Sequence, residues 1–282
     1  MKILLVILAL LIPNSVIAKA ESIVSGDVEN IDLNIKGDQA AVTFLDLSDG
    51  EVTLVQGPDS KSIVISDGAI GTLAELEGWL ALYDVKDVTT LFLTKNNQEM
   101  SFSKISQLIS KYHIKEIVTT SEISQLLVNN LQPIKQLSIV AWGEGTKKDI
   151  LPAMTAEVQY VGNQKNEGMD LMLNFYKYHI FMMTSSSLLA EQTFLKKNLR
   201  DVHVFKLPNR MNENSISKEL IQTLNPQISI LSLVEEGQLA PDLLKDLQGI
   251  WSEVYLPKKH GTVTIKFNES NYEVITIPQK EE

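Results

Sequence analysis

The clearest structural pattern in the chain begins with Thr43-Phe44-Leu45-Asp46-Leu47-Ser48-Asp49-Gly50-Glu51, an apolar run that leads into an acidic turn. Around it, residues 40–47, 52–56 and 62–66 are short runs rich in β-branched residues, and turn formers such as Gly57-Pro58-Asp59-Ser60 separate them. Such runs, bounded by Gly, Pro, Asp and Ser, are typical of strands joined by tight turns. This segment therefore predicts an antiparallel meander.

Beyond the meander, the apolar pattern alternates between helix and strand. Leu73, Leu76, Leu80 and Tyr83 repeat at helical spacing, and strand-like runs then alternate with helical stripes through both halves of the chain. This order predicts an α/β fold with two sheets packed face to face and helices outside. The similar halves suggest an internal duplication. Since no low-complexity linker divides them, we predict one domain at 39–282, preceded by a linker or edge strand at 21–38.

Three local patterns give narrower predictions. Thr119 and Glu122 have the spacing of a capping box, which predicts a helix that runs through residue 131. The run Gly143-Glu144-Gly145-Thr146-Lys147-Lys148 lacks phosphate-loop spacing, so we expect a surface turn there. The serines at 184–187 lack a nucleophile-elbow motif, and we expect Ser186 or Ser187 to cap the following helix instead.

The order of these segments resembles the metallo-β-lactamase-fold domain of the competence protein ComEC and its secreted relatives. In that family a strand ends in D-V-G-Q-G-D, and here Asp46, Gly50 and Glu51 stand at the matching places. Residues 58–61 and 63–68 are similar to the family's P-x-G-K and apolar I-D-G-G, and the resemblance covers residues 40–277. It implies an α/β fold of the four-layer αββα sandwich type, with a metal site between loops at one edge of the two sheets.

The resemblance also implies a two-metal hydrolase site, whose main signature in the family is T-H-x-H-x-D-H. Thr94 matches the Thr of that signature, but Lys95, Asn97 and Met100 stand where three histidines belong. Glu99, in place of the Asp, is the one residue of this segment that could ligate. An ammonium repels a divalent cation, and a thioether is a poor ligand for hard divalent metals.

The later metal-binding positions of the family are substituted as well. Ser186 replaces the bridging Asp of T-G-D, Asn209 and Arg210 replace a histidine pair after V-L-K-V-G, and Gln238 replaces the last histidine. We therefore expect no metal, no cofactor and no catalytic residue. The expected remnant is a vestigial-site binding cleft, formed by Asp67, Lys95, Asn97, Glu99, Ser186, Asn209 and Gln238.

The composition excludes several other classes of function. The chain has 282 residues with 44% hydrophobic and 21% charged side chains, a globular composition, and no cysteine for a disulfide or a thiolate metal site. Its formal charge is −10, and without residues 1–20, which carry two lysines and no acid, the charge is −12. We therefore expect no binding to nucleic acid, which depends on lysine and arginine contacts with phosphates.

The N-terminus has the pattern of a secretory signal peptide. Met1-Lys2 is followed by the apolar run from Ile3 to Ile12, by Pro13 and by Ala18-Lys19-Ala20. We expect export to the cell envelope or the extracellular space, with cleavage after Ala20 and no transmembrane segment in the mature chain. An uncleaved N-terminal anchor is the alternative.

The four histidines, His113, His179, His203 and His260, are too far apart in sequence for local metal pairing. Lys95 could instead place its ammonium near Glu99 and Asp67 and take over part of the metals' electrostatic role. The alternative is an exposed loop lysine without a partner.

The leading hypothesis is an exported non-catalytic protein that uses the sandwich to bind or scaffold an unknown protein or small-molecule partner. One alternative is a hydrolase with an atypical or single-metal site, for which Glu99 and Asp67 are the nearby carboxylates. A further alternative is an accessory factor in DNA uptake, which the acidic charge disfavours.

Overall fold

The computed structural model describes residues 30–96, 100–131, 134, 136–208, 216–232 and 241–278. Within these ranges the first sheet has the strands β1 (Ala40–Phe44), β2 (Val52–Gln56), β3 (Ser62–Ser66), β4 (Thr90–Leu93), β5 (Glu116–Thr119), β6 (Ser138–Ala141), β14 (Thr262–Phe267) and β15 (Tyr272–Ile277). Their order across the sheet is β15-β14-β1-β2-β3-β4-β5-β6. Strands β1, β2 and β3 pair antiparallel, which confirms the predicted meander, and β3 to β6 pair in parallel.

The second sheet repeats this change from antiparallel to parallel pairing. Its strands are β7 (Lys147–Leu151), β8 (Met154–Val161), β9 (Met169–Phe175), β10 (Tyr178–Met182), β11 (Val204–Lys206), β12 (Ile228–Ile230) and β13 (Glu253–Tyr255). They lie side by side in reverse chain order. Strands β7 to β10 are antiparallel and β10 to β13 are parallel. The carboxyl ends of the parallel strands therefore share one edge in each sheet.

Short polar residues start the helices between these strands. The helices are α1 (Leu73–Leu82), α2 (Phe102–Lys111), α3 (Ser121–Asn130), α4 (Leu188–Lys196), α5 (Lys218–Leu224), α6 (Pro241–Gly249) and α7 (Pro257–His260). The five helices α1 to α5 begin after a Ser or Thr whose hydroxyl accepts a backbone N–H of the first turn. No helix in the described ranges is long and apolar enough to cross a bilayer.

Three apolar clusters define four layers. One cluster lies between the sheets and includes Val42, Phe92, Leu173 and Ile180. A second joins the first sheet to α1, α2 and α3, and a third joins the second sheet to α4, α5 and α6. The αββα arrangement expected from the sequence is therefore correct.

Three local predictions need correction or refinement. The capping residue of α3 is Thr120, whose hydroxyl accepts the N–H of Ile123. Thr119 is still part of β5 and donates its hydroxyl to the Leu93 carbonyl, so the predicted Thr119–Glu122 capping box is wrong. Ser187 caps α4, as one of the two predicted alternatives.

The predicted surface turn at 143–148 is only partly correct. A turn closes where Thr146 N–H donates to the Gly143 carbonyl (3.0 Å), but β7 begins at Lys147. Its first three residues are charged and exposed, as is common on edge strands, and this obscured the strand pattern.

Candidate functional site

Charged side chains from both sheets meet at the edge where the parallel strands end. Glu51 directly precedes β2, Asp67 follows β3 and Lys95 lies just beyond β4. From the second sheet, Asp170 is the second residue of β9 and Lys206 is the last residue of β11. Each sheet supplies at least one acid and one base, so neither sheet forms the cluster alone.

A buried ion pair between the sheets forms the centre of this cluster. The Lys206 ammonium lies 2.5 Å from Glu51 Oε1, and the two side chains are only 4% and 7% exposed. The contact is an ion pair without hydrogen-bond alignment at that oxygen. Lys206 also donates to the Met183 carbonyl (3.4 Å). The ammonium therefore places a fixed positive charge among the acids of the site.

Asp67 lies beside this ion pair and resists ionisation. Burial, together with the negative charge of Glu51, raises its pKa to about 7, although Lys206 and Lys95 act in the opposite direction. One carboxylate oxygen accepts the backbone N–H of Ala69 (3.1 Å). The charge of Asp67 therefore changes near neutral pH.

Asp170 is fully buried at the start of β9. Its Oδ1 accepts the backbone N–H groups of Thr184 (2.5 Å) and Ser185 (2.8 Å), whereas its Oδ2 is buried without a hydrogen-bond partner. Burial raises its pKa to about 6 despite these bonds and the positive charge of Lys206. The carboxylate thereby fixes the loop between β10 and α4.

Threonine side chains connect the two sheets below the charges. Thr94 donates its hydroxyl to the Ser66 carbonyl (3.1 Å) and accepts the hydroxyl of Thr184 (3.3 Å) from the other sheet. The Thr94 carbonyl also accepts the N–H of Met169 (2.6 Å). The remaining space among these groups and the ion pair is about 10 Å³, the size of a single water molecule.

A glycine sets the position of Glu51. Gly50 has φ +81°, and a Cβ there would collide with the Ala69 carbonyl and lie 2.6 Å from Gly71 N. The next residue, Glu51, donates its own N–H to the same carbonyl (2.9 Å). Only glycine therefore allows the acidic turn to press against the loop after β3 and bring Glu51 to Asp67.

The structure brings together part of the predicted cleft. Lys95 is half-buried and interacts electrostatically with Asp67, but burial has the larger effect and lowers the pKa of Lys95. Ser186 is also half-buried, and its N–H donates to the Asn166 carbonyl (2.7 Å), while Asp170 supplies the carboxylate at this strand end. The other predicted residues, Asn97, Glu99, Asn209 and Gln238, lie outside the described residues.

The sequence analysis missed three members of the cluster. Glu51 carries only a motif signal in the sequence, and Asp170 and Lys206 lie inside apolar runs without any motif of their own. The signal in the sequence is a charged residue between apolar neighbours: Asp170 lies between Met169 and Leu171, and Lys206 lies between Phe205 and Leu207. A charge inside an apolar strand needs a buried partner.

The described side chains do not fit a pair of divalent metal ions. Two ammonium groups, from Lys95 and Lys206, lie among the carboxylates and would repel such ions. The space of about 10 Å³ is also too small for two ions with their ligands. Within the described part of the chain, no three His, Asp or Glu side chains are arranged to hold a metal.

Two histidines separated in sequence are neighbours in space. His179 lies on β10, His203 directly precedes β11, and their ring centroids are 5.9 Å apart. His179 Nδ1 pairs with Asn174 Oδ1 (2.7 Å), and burial together with His179 lowers the pKa of His203. The sequence spacing of the histidines did not predict this pair, which the parallel strands bring together.

Solved structures with the same arrangement identify the fold. The chain superposes on a metallo hydrolase, Igni18, from the archaeon Ignicoccus hospitalis with a TM-score of 0.55 and 12% identity, over 81% of this chain and 100% of that one. The metallo-β-lactamase-fold protein YhfI from Bacillus subtilis gives 0.59 and 10%, over 84% and 100%. The chain has the metallo-β-lactamase fold.

These similarities do not extend to a specific activity. A variant of the β-hydroxylase CmlA shares the fold with a TM-score of 0.55 and 10% identity, over 81% of this chain and 54% of that one. No protein-family model and no curated protein matches the sequence. Since one fold carries different chemistries, the function must be argued from the site.

Proposed function

We propose that this protein is an exported, non-catalytic protein of the metallo-β-lactamase fold that serves as a binding or scaffolding module. The observation that carries this proposal is the half-buried ammonium of Lys95, which stands where the resembled family has a histidine and lies beside the buried Lys206–Glu51 ion pair.

The ComEC-type resemblance fits the same interpretation. Glu51 stands at the last, acidic position of the family's D-V-G-Q-G-D pattern, and Lys206 stands at the lysine of its V-L-K-V-G pattern. The family's histidine positions carry other residues in this chain. A chain that keeps the interior ion pair without the metal ligands keeps the scaffold and loses the chemistry. The signal-like N-terminus supports export, and the cleft with Lys95 at its edge is the proposed binding surface.

The test is metal analysis of the purified full chain, together with a phosphodiesterase assay with and without a chelator. We expect less than stoichiometric zinc and manganese and no turnover. Lys206→Met provides a comparison, since removal of the ammonium should make the acids more attractive to divalent ions. Stoichiometric metal in the wild-type chain, with turnover that the chelator abolishes, would refute the proposal.

A hydrolase with an atypical site is the second candidate, and one observation favours it. The pKa of Asp67, about 7, suits a general acid or base near neutral pH. An activity that Asp67→Asn abolishes, in a variant that unfolds at the wild-type midpoint or above, would favour the hydrolase over the binding module.

A further inference from the structure

A groove of about 260 Å³ lies beside the charged cluster, between the loops after β4 and β5 and the loop from β8 to β9. We call it the Lys95 groove. Its main lining residues are Thr94, Lys95, Thr120, Glu122, Lys165 and Glu167. A space of this size holds a small organic molecule, because it is far larger than a water molecule and smaller than most cofactor pockets.

The walls of the Lys95 groove are well fixed. A Cβ on Gly168 would lie 2.5 Å from the Thr94 carbonyl oxygen and 3.2 Å from Lys95 Cβ, so the loop between β8 and β9 packs closely on the strand end that carries Lys95. The Met169 N–H bond to the same carbonyl adds to this contact (2.6 Å). Lys95 therefore extends from a rigid base.

The acids of the groove are already engaged by donors of the protein. Glu167 is 4% exposed and accepts the hydroxyls of Tyr160 (2.9 Å) and Ser187 (2.6 Å) and the N–H of Gln164 (3.3 Å). At the rim, exposed Glu122 accepts the amide of Asn96 (2.6 Å). The oxygens of Glu167 are therefore occupied by three donors of the protein, and one oxygen of Glu122 by another, although both side chains keep their charge.

The bases of the groove are not engaged in this way. Over the residues that the structure describes, the ammonium groups of Lys95 and Lys165 make no hydrogen bond and no ion pair. Lys95 is half-buried, and removal of its charge from water lowers its pKa. A half-buried ammonium without a hydrogen-bonding partner is costly, and an anionic group beside it would offset that cost.

We propose that the Lys95 groove binds a small anion, the carboxylate or phosphate group of a small molecule, through Lys95 and Lys165. This inference rests on the proposed binding function and names the chemical class of its ligand. The two ammonium groups of the groove make no hydrogen bond among the described residues, although Asp67 attracts that of Lys95, whereas the acids are already hydrogen-bonded. A ligand with an acceptor group therefore gains contacts that a cation would not. The small volume favours a small molecule over a nucleic acid strand.

The experiment is calorimetric titration of the full chain with inorganic phosphate and, separately, with succinate at low ionic strength, where charge contacts are least screened. The two titrations distinguish a phosphate ligand from a carboxylate ligand. We expect saturable binding of at least one anion below about 10 mM, the range open to a few partly exposed charge contacts. A short oligonucleotide, as a third probe, should bind no more tightly than the preferred small anion.

The variants make the test specific to the groove. Lys95→Met with Lys165→Met should weaken binding about five-fold or more, whereas Glu122→Gln should strengthen it because a negative charge leaves the rim. Lys61→Met with Lys115→Met, at exposed lysines elsewhere, is the matched control and should change the dissociation constant less than about two-fold.

The inference is overturned if neither anion binds, if the control pair weakens binding as much as the groove pair does, or if the oligonucleotide is the preferred probe. These outcomes are separate from the fate of the proposed function. Stoichiometric metal with chelator-sensitive turnover would overturn the non-catalytic role whatever the anion titrations show. Absence of anion binding would leave the non-catalytic proposal in place.

Discussion

Replacement of Lys206 by methionine tests the central ion pair, because it keeps much of the side-chain volume and removes the charge. Lys206 and Glu51 are 4% and 7% exposed and 2.5 Å apart, so water screens their interaction poorly. Loss of one partner from a buried pair leaves an uncompensated charge, which costs about 3–5 kcal/mol. Proton uptake by the acids can relieve part of this cost. We therefore expect Lys206→Met to lose about 3 kcal/mol at a pH near 8.

The loss should depend on pH in a defined direction. Lys206 lowers the pKa values of Asp67 and Asp170, so its removal raises both further above their unfolded values. A carboxyl whose folded pKa is raised contributes stability that is complete below its unfolded pKa and is lost as pH rises through the folded pKa. The difference between wild type and Lys206→Met should therefore grow from about pH 5 to about pH 8.

Urea unfolding followed by tryptophan fluorescence measures both effects. Lys218→Met is the matched control, because Lys218 is 65% exposed and lies 3.7 Å from Asp246, and it should cost less than about 1 kcal/mol. Adding Glu51→Gln to Lys206→Met should restore part of the stability. The prediction is refuted if Lys206→Met and Lys218→Met lose the same stability at about pH 5 and at about pH 8. It is also refuted if Lys206→Met with Glu51→Gln is less stable than Lys206→Met alone.

Three further predictions follow from the same geometry. The free energy of unfolding should decline as pH rises from about 4 to about 7, the window between the unfolded and folded pKa values of Asp67, and Asp67→Asn should make this decline less steep. A slope equal to that of the wild type would contradict this prediction. Gly50→Ala should lower the melting midpoint by the equivalent of about 2 kcal/mol or more, because its Cβ would meet the Ala69 carbonyl, and an unchanged midpoint would contradict this. Lys95→Met should leave the melting midpoint unchanged or slightly raised, because the cost of burying the ammonium outweighs its attraction to Asp67. A loss of roughly 1 kcal/mol would show instead that Lys95 and Asp67 form a stabilising pair.

The sequence was sufficient to predict the layered architecture because local periodicity specified it. The meander at β1 to β3 has β-branched runs with turn formers between them, and each helix stripe buries one face, as Leu76 and Leu80 do in α1. These signals act over a few residues and do not depend on tertiary contacts. The order of strand-like and helical segments also predicted the face-to-face packing of two sheets, which the apolar cluster between the sheets confirms.

Boundaries were less predictable where two local signals competed. Thr119 and Thr120 can both act as helix caps, but Thr119 is committed to the parallel pairing of β5 with β6 through its partner Ala141. The cap therefore moves to the next residue. In β7 the residues at 147–149 are charged and exposed because the strand lies at the edge of its sheet. The alternation of apolar and polar residues that would indicate a strand is therefore absent. Tertiary position, which the sequence does not state, settled both cases.

The candidate site was harder to predict because its members come from distant parts of the chain and two different sheets. A motif at residues 95–100 is a local pattern, whereas Glu51, Asp170 and Lys206 come together only when the two sheets pack. Lys206, between Phe205 and Leu207, is buried in the folded protein, and a buried ammonium requires a carboxylate within a few ångströms. The acids that border predicted strands, Glu51 and Asp67, were the natural partners, so a search for charge balance would have found this ion pair where a search for ligands could not.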